Sequence, residues 1–257
     1  MFRPVIPLLV LGLPISRAGA SQPADSARLS YAYGAIVRMD TTTRTIYLVF
    51  TGHEFADGGE LIRGILRKHA VKANFFFTGD FYRTERFGPI IRGLREDGHY
   101  LGAHSDKHLL YCDWSNRDSL LVTKEQFLRD LDGNYQAMAV FGIRRKDAPV
   151  FIPPYEWYNQ SIADWCREAG ITLVNFTPGT SSNADYTWPG LGRQYVSSDT
   201  IFQRILRFES TTARRLCGFI LLLHIGTDPR RTDKFYPRLD ELIEELKTRG
   251  YQFARLG

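Results

Sequence analysis

Seven short β-rich runs alternate with segments of helical periodicity along the body of this 257-residue chain. This order is typical of parallel βα units, in which a helix returns the chain to the starting edge of the sheet after each strand. The pattern predicts an α/β fold, a distorted (β/α) barrel of about seven parallel strands. The predicted strands are residues 46–50, 73–77, 100–103, 150–152, 172–175, 219–224 and 251–254.

The first twenty residues have the pattern of a secretory signal peptide. Arg3 precedes an apolar run from Val5 to Ile15, and the run is followed by the A-x-A cleavage pattern Ala18-Gly19-Ala20. The run is too short to cross a bilayer as a helix, so we expect no stable membrane insertion and a secreted or periplasmic location. The predicted divisions are a signal peptide at 1–20, an N-terminal extension at 21–35 and one catalytic domain at 36–257.

The charge of the chain argues against a nucleic-acid partner. The formal net charge is +5, but basic clusters such as Arg144-Arg145-Lys146 and Arg230-Arg231 are short and scattered. A nucleic-acid-binding surface requires basic residues collected on one face or stripe. We therefore expect no nucleic-acid partner, and the sequence makes no prediction about oligomeric state.

Polar side chains follow several of the predicted strands at their carboxyl ends. His104 and His108 come after the third run, and their spacing lets both imidazoles reach one divalent metal ion. Asp57 follows the first run, Asp185 follows the fifth, and His224 ends the sixth. Because the carboxyl ends of parallel strands meet at one face, we expect these side chains to share a cleft.

These motifs, in this order, resemble the polysaccharide deacetylases of carbohydrate esterase family 4, the NodB-type domain, across residues 36–256. The family's first motif is T-F-D-D-G, whose first aspartate is the catalytic base and whose second binds the metal. In this alignment Asp57 matches the metal-binding aspartate, and Ala56 takes the place of the base. The second motif, H-[S/T]-x-x-H, is present in full as His104 and His108.

The remaining motifs are kept to different degrees. Phe151-Ile152-Pro153-Pro154-Tyr155 corresponds to R-x-P-[Y/F], with Ile152 in place of the arginine that pairs with the missing aspartate. Asp185-Tyr186-Thr187-Trp188 resembles the motif that places an aspartate and a tryptophan on a loop. Leu221-Leu222-Leu223-His224 contains the final L-x-H motif.

The resemblance implies a metal-dependent N-deacetylase that acts on an N-acetylhexosamine-containing polysaccharide or peptidoglycan. It assigns a divalent metal, with zinc expected, to Asp57, His104 and His108, and it assigns proton donation to His224. Asp185 would belong to the catalytic group, and the backbone N–H of Tyr155 would bind the oxyanion. Further contacts with substrate would come from Pro154, Trp157 and Trp188.

The identity of the general base stays open at this stage. Glu54 in the first loop and Glu156 directly after Tyr155 are the two carboxylates that can replace the missing aspartate. Each also has a plain interpretation as a solvated loop residue. Two alternative functions therefore remain, namely a catalytically impaired carbohydrate-binding barrel and an O-acetyl esterase that acts on a xylan-type polymer.

Overall fold

The computed structural model describes residues 28–257, and the predicted signal peptide lies outside this range. Nine strands occur in the described chain, namely β1 (Ser30–Ala32), β2 (Ala35–Arg38), β3 (Thr45–Gly52), β4 (Asn74–Phe77), β5 (Tyr100–Ala103), β6 (Val150–Phe151), β7 (Thr172–Leu173), β8 (Phe219–His224) and β9 (Gln252–Phe253). The α-helices are α1 (Gly59–Lys68), α2 (Gly79–Arg83), α3 (Gly88–Glu96), α4 (Lys124–Ala139), α5 (Gln160–Glu168), α6 (Ser198–Thr211) and α7 (Leu239–Thr248).

Seven of these strands form one parallel sheet in the order β7-β6-β5-β4-β3-β8, with β9 paired to β3. Each of the seven predicted runs overlaps one strand of this sheet, and β3 extends beyond its run at both ends. The predicted distorted barrel is therefore confirmed. Four of its strands differ from the prediction mainly in being shorter, because β4, β6, β7 and β9 keep strand pairing over only part of each apolar run.

The sheet is covered on both faces, which explains its continuous apolar strands. All four residues of β4 are buried, and in β8 only the terminal His224 is partly exposed. Helices such as α7 bury one apolar face against this sheet and leave their charged residues in solvent. Polar groups at the carboxyl ends of the strands thus stand out against an apolar barrel wall.

A short antiparallel hairpin of β1 and β2 lies beside the open edges of the sheet. Ile36 pairs with Val174 beyond β7, and the Thr177 hydroxyl donates a hydrogen bond to the Val37 carbonyl oxygen at 2.6 Å. The Thr177 backbone N–H in turn donates to the Ile220 carbonyl oxygen of β8 at 3.0 Å. The hairpin therefore helps to bridge the gap between β7 and β8. It begins at Ser30, within the segment predicted as an extension.

Helix α4 braces the loop that follows β5. Thr123 and Gln126 form a capping box at its first turn, which fixes where the helix begins. The buried Asn134 then accepts a hydrogen bond from the His104 backbone N–H at 2.8 Å and donates one to the Phe77 carbonyl oxygen at 3.2 Å. The helix thereby ties the ends of β4 and β5 together. Within residues 28–257, no helix is both long enough and apolar enough to cross a membrane.

Candidate functional site

A cavity of about 530 Å³ opens at the carboxyl ends of β3, β5 and β8. We call it the histidine cavity. It is lined by Thr51, His53, Glu54, Phe55, His104, His108, Trp114, Tyr155, Glu156, Asn183, Tyr186, Trp188, Leu191, His224, Gly226, Thr227 and Asp228. Most of the residues singled out from the sequence are therefore brought to one place, as expected for the strand ends of a barrel.

His104 and His108 stand side by side in this cavity, with ring centroids 5.1 Å apart. The His104 Nδ1–H donates to the Ile152 carbonyl oxygen at 2.9 Å, which leaves its Nε2 without a proton and free to bind a ligand. Burial lowers the pKa of His104 to about 3 and that of His108 to about 2. Both rings are thus neutral at physiological pH, which is the form that binds metal ions.

The loop that carries the two histidines is held by buried hydrogen bonds. The Asp130 carboxylate of α4 accepts bonds from the backbone N–H groups of Asp106 and Lys107, each at 3.0 Å. The Ser105 hydroxyl accepts a bond from a later backbone N–H in the same loop. His108 has a φ of 54°, a left-handed conformation that a non-glycine residue rarely adopts. Such conformations persist where the surrounding structure enforces them, and they are frequent at functional sites.

His53 is a further cavity residue to which the motif alignment assigns no role. Its ring stacks on that of His108 with a centroid separation of 4.7 Å and an interplanar angle of 8°. Its Nδ1 forms a hydrogen bond with the Thr78 hydroxyl at 3.1 Å. Because β3 ends at Gly52, His53 and Glu54 are the residues that directly follow the strand. Their position just after a predicted strand is the sequence signal that could have identified His53.

Asp57, the predicted acidic metal ligand, does not meet the two histidines. Its carboxylate accepts hydrogen bonds from the Thr227 backbone N–H at 3.0 Å and the Tyr236 hydroxyl at 3.2 Å. It also forms an ion pair with Lys234 at 3.1 Å. Within residues 28–257, no three His, Cys, Asp or Glu side chains are grouped so that they could hold a metal ion. The predicted triad is not assembled, because donors from the segment after β8 hold this carboxylate elsewhere.

His224 and Asp185 form a close pair. The His224 Nδ1–H donates to Asp185 Oδ1 at 2.6 Å, and the His224 backbone N–H donates to Asp185 Oδ2 at 2.9 Å. Burial alone would lower the pKa of His224, but the ion pair and hydrogen bond with Asp185 outweigh burial and raise it. Asp185 is only 1% exposed and lies in the 3₁₀ segment Ser182–Tyr186. The motif that contains Asp185 and the final L-x-H motif are therefore in direct contact.

Glu156 faces this pair from the loop after β6. Burial raises its pKa to about 7, with Asp185 also raising it and His224 acting in the opposite direction. Tyr155 and Glu156 have φ angles of 58° and 53°, and each such conformation costs on the order of 1–3 kcal/mol. The Asn175 side-chain amide donates to the Glu156 carbonyl oxygen at 2.9 Å and supports this turn. The turn directs a carboxyl group of near-neutral pKa toward the cavity.

The two candidate bases therefore differ in environment. Glu54 is exposed at the rim of the histidine cavity, whereas Glu156 lies deeper and close enough to His224 for their charges to interact. A carboxyl group whose pKa lies near the working pH is suited to accept and release protons. Glu156 is the better candidate on these grounds.

Aromatic side chains flank the cavity, but not all of them as predicted. Trp188 and the half-exposed Tyr186 line it, whereas Trp157 does not. The Trp157 indole N–H donates to a backbone carbonyl at 3.2 Å, and the Arg117 guanidinium lies 3.5 Å from the ring centroid. Trp114, which no motif contains, is 56% exposed and lines the cavity instead.

Pro154 is also placed differently from the prediction. It is buried inside the turn and is not part of the cavity lining, whereas the adjacent Tyr155 is 45% exposed and does line the cavity. The Tyr155 ring centroid lies 4.3 Å from that of His108. Pro154 therefore shapes the turn, and its neighbour supplies the surface that a ligand would meet.

A second cavity of about 680 Å³, which we call the outer cleft, adjoins the first. The two cavities share Glu54, Phe55 and Thr227. The remaining residues of the outer cleft are Ala56, Asp57, Glu60, Arg86, Phe87, Pro89, Ile90, Pro229 and Lys234.

The family model described as polysaccharide deacetylase matches residues 38–174. Among curated proteins, a peptidoglycan-N-acetylglucosamine deacetylase from Bacillus cereus is 28% identical over 210 residues, which is 79% of this chain and 65% of that protein. The chain thus spans less than two thirds of that relative. The peptidoglycan-N-acetylmuramic acid deacetylase PdaA from Bacillus subtilis is 26% identical over 91% of this chain and 80% of its own length.

Solved structures show the same fold. A carbohydrate esterase family 4 pseudoenzyme from Bacillus anthracis superposes with a TM-score of 0.66. The match has 18% identity and covers 88% of this chain and 68% of that one. At this identity the likeness supports the barrel, and the residues of the site have to be judged from their own geometry.

Proposed function

Since this chain belongs to the polysaccharide deacetylase family, we propose that it hydrolyses the N-acetyl groups of an N-acetylhexosamine-containing polysaccharide or peptidoglycan. The sequence motifs predicted this family, and the comparisons confirm the family. One observation carries the proposal for this chain. Glu156 and the His224–Asp185 pair converge on the same cavity as His104 and His108.

The proton transfers are assigned to Glu156 and His224. Hydrolysis of an acetamide needs a base that activates water and an acid that protonates the departing amine. Glu156, with a pKa of about 7, is the base, and His224, with its raised pKa, is the acid. Asp185 holds the His224 ring by its Nδ1–H, so that Nε2 is the atom that transfers the proton. The backbone N–H of Tyr155 is assigned to the developing oxyanion.

The donor set fits a divalent metal at the two histidines but not at Asp57. His104 and His108 are buried and neutral and line the cavity, and the Ile152 carbonyl orients the first of them. Within residues 28–257 no third His, Cys, Asp or Glu side chain is grouped with them, so the protein ligands that we assign to the metal are these two histidines. Zinc, when bound, supplies a Lewis acid that polarises the acetyl carbonyl and lowers the pKa of water. Substrate binding and proton transfer are assigned to residues of the chain.

The surroundings of the site suit a sugar polymer. Trp114, Tyr186 and Trp188 present partly exposed aromatic surfaces at the cavity, where the apolar faces of sugar rings can pack. The named relatives act on peptidoglycan, which is an extracytoplasmic polymer. Together with the signal peptide predicted at residues 1–20, this supports a secreted or periplasmic location.

Acetate release tests the proposal. Protein loaded with zinc and protein stripped by a chelator are each incubated with N-acetylglucosamine oligomers, peptidoglycan and acetylated xylan. Metal-dependent release from either of the first two is the expected result. Release from xylan alone would replace the N-deacetylase with an O-acetyl esterase. No release from any of the three would contradict a hydrolase acting on these substrates.

A carbohydrate-binding barrel without turnover is the second candidate. The observation that favours it is the position of Asp57, which is held by Thr227, Lys234 and Tyr236 and leaves two histidines without the predicted acidic partner. Ile152 and Ala56 add to this, because they replace the arginine and the base of the family pattern. Binding of oligomers with no acetate release would support this candidate.

A further inference from the structure

The outer cleft is continuous with the histidine cavity, and none of the catalytic roles proposed for the chain makes use of it. Its volume of about 680 Å³ falls in the range of cavities that bind small molecules. Glu54, Phe55 and Thr227 form the shared boundary of the two cavities. The two cavities therefore adjoin closely enough for one polymer to contact both.

Asp57 lies in this cleft with a side chain that is 47% exposed. The Thr227 backbone N–H, the Tyr236 hydroxyl and the Lys234 ammonium group hold its carboxylate in one orientation. A carboxylate has about four lone-pair sites, so three donors do not exhaust its capacity to accept hydrogen bonds. Asp57 is thus a fixed, accessible hydrogen-bond acceptor, to which the hydroxyl groups of a sugar can donate.

The donors that hold Asp57 are themselves fixed. The Lys234 ammonium group also donates to the carbonyl oxygens of Thr227 at 2.8 Å and Asp228 at 3.0 Å. Tyr236 is only 6% exposed, and its hydroxyl is within 3.0 Å of the Thr227 hydroxyl. The carboxylate therefore needs little reorganisation when a ligand binds, which favours affinity.

The other walls of the cleft are largely apolar. Phe55, Phe87, Pro89 and Ile90 line it, and the Arg86 guanidinium lies 4.9 Å from the Phe87 ring centroid. An apolar wall with a few convergent polar groups is the usual character of a small-molecule site. A pyranose ring presents an apolar face and a hydroxyl-bearing edge, so it matches both parts of this lining.

We infer that the outer cleft is a second sugar subsite, in which Asp57 accepts hydrogen bonds from the hydroxyl groups of a neighbouring unit of the bound polysaccharide. This inference rests on the proposed function, because it takes the ligand of the histidine cavity to be a sugar polymer. It assigns Asp57 to substrate binding in place of metal binding.

The test compares Asp57→Asn with the parent protein by titration calorimetry. Oligosaccharide binding is measured on a Glu156→Gln background to prevent turnover, with dimers and hexamers of N-acetylglucosamine. The hexamer should bind the parent more tightly than the dimer does. Asp57→Asn should weaken hexamer binding about tenfold, because a charged acceptor becomes a neutral one. Zinc affinity, titrated separately, should equal that of the parent.

Two further variants make the comparison interpretable. Glu244→Gln makes the same change of carboxylate to amide at an exposed position of α7, and it should alter neither affinity. Pro89→Ala removes part of the apolar wall of the outer cleft at an exposed position outside the histidine cavity, and it leaves the donors to Asp57 in place. It should also weaken hexamer binding, and it serves as the test if circular dichroism shows that Asp57→Asn is unfolded.

Loss of zinc binding in Asp57→Asn would overturn the inference, because Asp57 would then be a metal ligand. Equal hexamer affinity in the variant and the parent would also overturn it, as would a parent that binds the hexamer no better than the dimer. The proposed function is judged separately by acetate release. Acetate release by the parent, together with unaltered hexamer binding in Asp57→Asn, would support the proposed function and contradict the subsite. Hexamer binding that depends on Asp57, with no acetate release by the parent, would support the subsite and contradict the proposed function.

Discussion

The histidine cavity and the outer cleft share part of their lining, but their ionisable groups lie in different environments. In the histidine cavity, burial holds Glu156 at a pKa of about 7 and keeps His104 and His108 neutral, and the backbone is strained at several positions. In the outer cleft, Asp57 and Lys234 neutralise each other and remain partly in solvent. Groups held away from their ordinary protonation state are suited to chemistry, and groups already paired are suited to binding. We therefore expect substitutions in the two regions to alter different measured constants.

Replacement of Glu156 should give the largest effect. Glu156→Gln removes the base and should lower kcat by about 10²- to 10⁴-fold while oligosaccharide affinity is retained. Steady-state acetate release and calorimetry measure the two quantities, with Glu244→Gln as the matched control. A kcat within a few-fold of the parent would end the assignment of Glu156 as base.

The stability of the same variant gives an independent check. The folded-state pKa of Glu156 is raised above its ordinary value of 4.5 to about 7. Ionisation is therefore harder in the folded state, and the stability contributed by this group is lost as the pH rises through that window. Above pH 7, Glu156→Gln should have a melting temperature no lower than the parent. A marked drop would mean that the carboxylate has a structural role.

Loss of the Asp185 carboxylate should be the next largest effect. Asp185→Asn removes the partner that raises the pKa of His224 and orients its ring. We expect kcat to fall by about 10²-fold, with the alkaline limb of the pH profile moving to lower pH. A reduced rate with an unmoved alkaline limb would show that Asp185 supports the fold without tuning His224.

The pH dependence of the parent protein follows from the same two groups. Glu156 must be ionised, so kcat/KM should fall about tenfold for each pH unit below about 7. His224 must be protonated, so the rate should fall again above its raised pKa. A pH–rate profile between pH 4 and 10 checks this bell shape. Full activity at pH 5 would exclude Glu156 as the base.

The smallest effects are predicted for Trp114 and Trp157, whose ring centroids are 5.5 Å apart. Trp114→Ala removes an exposed cavity surface and should raise KM by about two- to tenfold with an unchanged melting temperature. Trp157→Ala removes the ring against which Arg117 packs, and it should mainly lower the melting temperature, by about 2–4 °C for each kcal/mol lost. The reverse pattern would show that the cavity wall is assigned incorrectly.

The barrel could be predicted from the sequence because its signals are local. Strand runs, helical periodicity and polar residues at strand ends are all readable within a few residues. The same signals placed His104, His108 and His224 at one face, and the pairing of Asp185 with His224 agrees with the motif order. Parallel topology then brings these distant residues together with no further information.

The position of Asp57 could not be predicted in this way. Its three partners lie about 170 to 180 residues away, and motif spacing contains nothing about them. The pKa of Glu156 likewise depends on burial that only the folded chain provides. Trp157, which was predicted to contact substrate, is covered by Arg117, and Trp114, for which the sequence made no prediction, lines the cavity. These outcomes arise from competition between long-range contacts, which a local pattern does not record.

We assign catalysis to the histidine cavity and substrate binding to the outer cleft. The most direct test of this assignment is to measure kcat, zinc affinity and hexamer affinity for Glu156→Gln and Asp57→Asn side by side. We predict that Glu156→Gln loses kcat and keeps both affinities. We predict that Asp57→Asn keeps zinc affinity and binds the hexamer about tenfold more weakly. Loss of zinc binding in Asp57→Asn, together with full activity in Glu156→Gln, would contradict the account.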